Sequence, residues 1–118
     1  MQIFHNSRCG KSRNAIQFFE SHGFKLEIIE YLKNPPTISR LKEIITKSGI
    51  KVEDFVRKSE AEFKETPNNT DLNDAQLIEL MVLHPILIQR PIVISEKGIW
   101  IARTDEKLQE ILHILQAK

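Results

Sequence analysis

Apolar positions along the chain change rhythm several times, and each change marks an element. The chain opens with Gln2-Ile3-Phe4-His5, a short run that reads as a strand. Asn6 to Gly10 has turn composition. From Lys11 to His22 the spacing becomes helical, with Ala15, Ile16 and Phe19, joined by Phe18, on one face. Gly23 stands where a left-handed helix end belongs. Lys25 to Tyr31 alternates and predicts a second strand. Asn34-Pro35-Pro36 breaks the chain, because proline lacks the N–H a helix or sheet needs. Thr37 is placed to cap a helix whose stripe is Ile38, Leu41, Ile44 and Ile45, and Gly49 stops it. Val52 to about Lys58 reads as a further short helix carrying Phe55 and Val56 inward. Glu65 to Asp71 is loop. Asn73-x-x-Gln76 is a capping-box pattern ahead of a helix with Ile78, Met81 and Val82 apolar, ended by His84-Pro85.

The last part of the chain returns to strands. Pro91 to Ile94 is β-branched, Glu96-Lys97-Gly98 is a tight turn, and Ile99 to Ala102 runs back as the second arm of a hairpin. Thr104 caps a final helix with Asp105 and Glu106 in its first turn and a stripe of Leu108, Ile111, Leu112 and Leu115. The order is therefore β–α–β, a helical stretch over about 37–84, then β–β–α. That is the order of an α/β, thioredoxin-like (glutaredoxin-like) fold: a mixed four-stranded sheet with a helical insertion in mid-chain. At 118 residues the chain has room for one core, so residues 1–118 are expected to form one domain.

Charge narrows the range of partners. With 17 Lys+Arg against 16 Asp+Glu the net charge is +1, so no long-range field favours nucleic acid or an anionic membrane. Any anion must be bound by local placement of basic groups. Apolar runs are only a few residues long, far short of the ~20 that span a bilayer. The N-terminal MQIFHNSRCGKSR lacks the apolar core of a signal peptide, which leads to the expectation of a soluble, cytoplasmic monomer. One cysteine excludes an internal disulfide and a cysteine-rich metal site. The spacing of His22, His84 and His113 suggests no metal either.

Cys9 stands apart from the usual buried cysteine, because it lies in a polar turn between a strand and a helix. Backbone N–H groups at the helix start carry partial positive charge toward its sulfur. Arg8, Lys11, Arg13 and His5 are close in sequence, and each would favour thiolate over thiol. The same N–H groups would bind a tetrahedral anion, with Gly10 letting the backbone approach closely. Position 12 is serine, so the motif is C-x-x-S and no dithiol cycle can run within this chain. A covalent intermediate on Cys9 must be resolved by a thiol from another molecule.

These residues resemble the glutathione/glutaredoxin-dependent arsenate reductases. Five collinear segments carry the resemblance over nearly the whole chain. They are His5-Asn6-x-x-Cys9-Gly10-x-Ser12-Arg13-Asn14, Tyr31-Leu32-x-Asn34-Pro35-Pro36, Arg57-Lys58, His84-Pro85-Ile86-Leu87-Ile88-x-Arg90-Pro91-Ile92-Val93, and Arg103. The resemblance implies that Cys9 is the nucleophile and His5 a tuner of its thiol. It makes Arg57, Arg90 and Arg103 the arginines that hold the oxyanion, and Pro91 a cis-proline facing the thiol. It further implies arsenate as substrate, glutathione as co-substrate, a glutaredoxin as protein partner, and no bound cofactor. Two other readings of the residues stay open. One is a thiol–disulfide enzyme that handles glutathione through Cys9 without arsenate. The other is a redox-regulatory module that docks to a protein such as RNA polymerase. Regulators of that sister group often carry C-x-x-C, which Ser12 does not match.

Overall fold

The computed structural model describes residues 1–117. The chain divides into two compact units, residues 1–31 with residues 90 onward, and residues 32–89.

The first unit holds the sheet. Strands β1 (Gln2–Phe4), β2 (Glu27–Ile29), β3 (Ile92–Ser95) and β4 (Gly98–Ile101) lie in the order β2-β1-β3-β4. β1 runs parallel to β2 and antiparallel to β3, and β3 and β4 form the hairpin. The sheet is therefore mixed, as the element order led us to expect. Helix α1 (Gly10–Ser21) makes the crossover from β1 to β2, and α5 (Asp105–Gln116) follows β4. Ile3, Ala15, Phe19, Val93, Ala102, Leu108 and Ile111 form one buried cluster, with Trp100 partly buried against it. Phe4 stacks on the buried ring of Tyr31, centroids 5.9 Å apart.

Gly98 is fixed by geometry. Its φ is +157°, and a Cβ there would stand 2.7 Å from the indole of Trp100. Only glycine lets the chain turn this tightly beneath the ring.

The second unit is helical. It contains α2 (Ile38–Ser48), α3 (Ala61–Lys64) and α4 (Asp74–Leu83), with 3₁₀ turns at Val52–Phe55 and Pro85–Leu87. Thr37 caps α2 by accepting the Arg40 N–H at 3.0 Å. The capping box of α4 is complete, with Asn73 and Gln76 exchanging two hydrogen bonds of 2.9 Å. α2 packs on α4, and Leu41, Ile44, Ile45, Leu77, Ile78 and Met81 are buried. No helix among the described residues is long and apolar enough to cross a membrane.

Two sequence expectations are corrected here, and one element was not expected. The helix over Val52–Lys58 is only a 3₁₀ turn ending at Phe55. Val56 is extended and makes an antiparallel bridge to Ile88, and that pairing takes its backbone out of the helix. The second strand covers Glu27–Ile29 instead of Lys25–Tyr31, because only those residues find partners on β1. The short helix Ala61–Lys64 carries no apolar stripe that would announce it.

Candidate active site

Sheet register brings three of the first unit's basic residues to one end. The last pairs on that side are Phe4 with Ile92 and Ile92 with Ile101. Past them, the His5 N–H donates to Ile29 O and the Ala102 N–H to Pro91 O, each at 2.9 Å. His5, Arg90-Pro91 and Arg103 therefore leave the sheet together at the end where β1 turns into α1. The Arg90–Pro91 peptide is cis. The turn from β1 into α1 carries Cys9.

That turn is shaped by a buried asparagine. Asn6 Oδ1 accepts the Arg8 N–H at 3.0 Å, and Asn6 O accepts the Cys9 N–H at 2.9 Å. The Asn6 N–H donates to the hydroxyl of fully buried Ser12 at 3.4 Å, tying the turn to the first coil of α1. Cys9 becomes the N-cap of α1 in extended conformation, with its C=O accepting the Arg13 N–H at 3.1 Å. The thiol is free and partly exposed.

Burial pushes the Cys9 thiol up. The Ser12 N–H, the Arg90 guanidinium and the Lys11 N–H outweigh burial and hold it below its ordinary value. The sequence reading anticipates the helix-start N–H groups, but the side-chain charge it credits to His5, Arg8, Lys11 and Arg13 comes instead from Arg90. Lys11 contributes its backbone instead of its ammonium, and the decisive side chain is Arg90. Arg90 also has donors to spare: Nε and Nη1 are buried without a hydrogen-bond partner.

His5 is buried, and its Nδ1 has no hydrogen-bond partner. Burial lowers its pKa, Glu30 pulls it back and Arg13 lowers it again, leaving it below the ordinary histidine value. His5 is therefore a neutral imidazole near pH 7, not a cation beside the thiol. A Cβ on Gly10 would meet only Arg13 Nη2, at 3.9 Å. The protein's own packing leaves room for a side chain there. Among the described residues no group of three His, Cys, Asp or Glu is placed to hold a metal ion.

The model of one family, the ArsC family, matches residues 4–111. The chain belongs to the ArsC family. It is 40% identical over 111 residues to the arsenate reductase of Escherichia coli strain K12, which takes in 93% of this chain and 79% of that one. It is 34% identical over 114 residues to the arsenate reductase of Neisseria meningitidis serogroup A, covering 95% and 97%. Among solved structures, the arsenate reductase from Vibrio cholerae superposes with a TM-score of 0.84 at 31% identity, over 97% of this chain and 98% of that one.

One further residue singled out in this ArsC-family chain lies in the second unit. Arg57 follows the Val56–Ile88 bridge, and its N–H donates to Leu87 O at 2.7 Å. Arg57 Nη1 stands 2.5 Å from Glu60 Oε1. Sequence reasoning named neither Glu60 nor the work done by Asn6. The i,i+3 spacing of Arg57 and Glu60, and an asparagine three residues ahead of the nucleophile, were the available signals.

Proposed function

We propose that this chain reduces arsenate to arsenite through Cys9, with glutathione and a glutaredoxin supplying the electrons. The reading is carried by one pairing: a thiol held below its ordinary pKa beside Arg90, whose Nε and Nη1 are buried without partners. A guanidinium with unspent donors is a receptor for an oxyanion, and it offsets the charge that would otherwise repel a thiolate from one. Membership of the ArsC family and the names of its relatives give that oxyanion as arsenate.

In the proposed cycle arsenate binds to Arg90, Arg103 and the N–H groups at the start of α1, which Gly10 leaves accessible. The family resemblance also gives Arg57 an oxyanion-binding role. The Cys9 thiolate attacks arsenic, an S–As bond forms, and one oxygen leaves as water after taking up protons. The glutathione thiol then attacks. Arsenic gains two electrons, the two sulfurs lose them by joining as a mixed disulfide, and arsenite leaves. Arsenic acid and two thiols thus become arsenous acid, one disulfide and one water. A glutaredoxin thiol takes up the glutathione and frees Cys9. The family resemblance gives His5 the tuning of the thiol, which it would do as a neutral neighbour, while Ser12 holds the turn and Pro91 sets the chain entering β3. The cycle suits a reducing, glutathione-rich cytoplasm and needs no bound cofactor.

The test is NADPH consumption in a mixture of this protein, glutathione, glutaredoxin and glutathione reductase, titrated with arsenate. Saturable consumption that Cys9→Ser abolishes supports the reading. An active serine variant refutes the mechanism. A Cys9-dependent signal that ignores arsenate moves the assignment to thiol–disulfide exchange.

A further inference from the structure

The ion pair of Arg57 with Glu60 is well covered, at 17% and 26% of side-chain surface. In Arg40–Glu43, Lys47–Glu43, Lys58–Glu53 and Lys107–Glu110 every partner is at least 37% exposed. Both backbones are fixed: the Glu60 N–H donates to Arg57 O at 3.2 Å, and the Arg57 N–H is committed to Leu87 O. The carboxylate is therefore tethered within reach of the guanidinium, and only side-chain rotation can part them. Their contact has charge but poor alignment. Arg57 Nη1 is 2.5 Å from the carboxylate oxygen, yet that nitrogen is buried without a properly directed hydrogen bond. A tetrahedral oxyanion can offer the guanidinium edge two well-placed oxygens, which this carboxylate does not. Lys58, the neighbouring cation, is engaged elsewhere, with Glu53 at 2.6 Å. It does not draw Glu60 away.

We propose that Glu60 is an internal competitor for the oxyanion: its carboxylate occupies Arg57 until a doubly charged tetrahedral oxyanion displaces it, and this exchange sets the protein's oxyanion affinity. The inference rests on the reading above that Arg57 binds the oxyanion. Glu60 is a positioning residue in this scheme. It keeps Arg57 paired between turnovers, and the ligand must break that pair to bind.

The experiment measures arsenate binding by titration calorimetry in a Cys9→Ser background, where no chemistry follows binding. Glu60→Gln keeps the shape and removes the charge, and Glu60→Ala is a second probe should glutamine re-pair. Both are expected to bind arsenate about two- to fivefold more tightly, the range for releasing a partly screened ion pair. Arg57→Ala should weaken binding, and Glu60→Gln should have no further effect in the Arg57→Ala protein. In the enzyme that retains Cys9, Glu60→Gln should lower KM for arsenate with kcat unchanged. A general loosening of the turn would not produce that split. Unchanged or weaker binding by both Glu60 variants, with Arg57→Ala still weakening it, overturns the proposal and leaves the oxyanion role of Arg57 standing. Tightening that persists without Arg57 also overturns it, since Glu60 would then act by long-range charge. If Arg57→Ala changes nothing, the proposal and the role of Arg57 fall together.

Discussion

Replacing Arg90 with alanine removes the only side chain among the groups that lower the Cys9 thiol, while the Ser12 and Lys11 N–H groups remain. Two unit charges about 5 Å apart interact by roughly 0.8 kcal/mol in water and about 3 kcal/mol at an effective dielectric constant of ~20. Cys9 is half-buried, which places the loss between those limits. About 1.4 kcal/mol is a tenfold smaller thiolate fraction at fixed pH. The thiolate that remains is more basic, and at a Brønsted slope of about 0.4–0.5 its intrinsic reactivity rises about threefold. The net expectation is a crossing of two profiles. At pH values below both thiol pKa values the variant should react with dithiodipyridine about threefold more slowly than the parent protein. Above pH ~10, where both thiols are ionised, it should react about threefold faster. Stopped-flow absorbance across that range measures both limbs, and circular dichroism establishes that the variant is folded. Superimposable profiles would refute the role given to Arg90. A uniform slowing without a crossing would mean that Arg90 governs access to the sulfur instead of its ionisation.

Two further outcomes follow from burial and backbone geometry. Gly98→Ala forces a Cβ to within 2.7 Å of Trp100 at φ +157°, so it should destabilise the fold by about 1–3 kcal/mol, read as a lower urea midpoint. An unshifted midpoint would mean the indole yields without cost. His5 is held below the histidine model value of 6.5, chiefly by burial. As pH falls below that value the unfolded chain takes up a proton that the folded chain resists. Stability is therefore full above about pH 6.5 and is lost as pH falls toward the folded pKa. His5→Gln should flatten the dependence of the urea midpoint between about pH 7.5 and 5.5, and equal slopes for the two proteins would count against this assignment.

What could be read from the sequence was mostly what neighbouring residues decide among themselves. The stripe of α1, the Thr37 and Thr104 caps and the Asn73–Gln76 box all lie within one or two turns of helix, and all appear in the structure. Val56 was misplaced because its partner, Ile88, lies on a distant segment, and the spacing of Val52, Phe55 and Val56 fits a helix when read alone. The same limit applies at the thiol. Arg8, Lys11 and Arg13 are neighbours of Cys9 in sequence, but the guanidinium that stabilises its thiolate is Arg90, delivered by the pairing of β1 with β3. The family motif pointed to Arg90, whereas local electrostatics did not.

The hairpin between β3 and β4 turns through Glu96 and Lys97 at the opposite end of the sheet from Arg90 and Arg103. Side chains in a strand alternate faces with a period of two, so a shift of pairing by one residue reverses the side toward which every later residue points. The turn is thus a gauge for the end that carries Arg90 and Arg103, at a distance of about 13 Å for four residues of strand. Substitutions at Glu96 or Lys97 keep the gauge, whatever their charge. A single inserted residue that slipped the β4 register would reset it and carry Arg103 away from Arg90, with every residue of the site itself unchanged. Within this hairpin, length is more tightly constrained than composition.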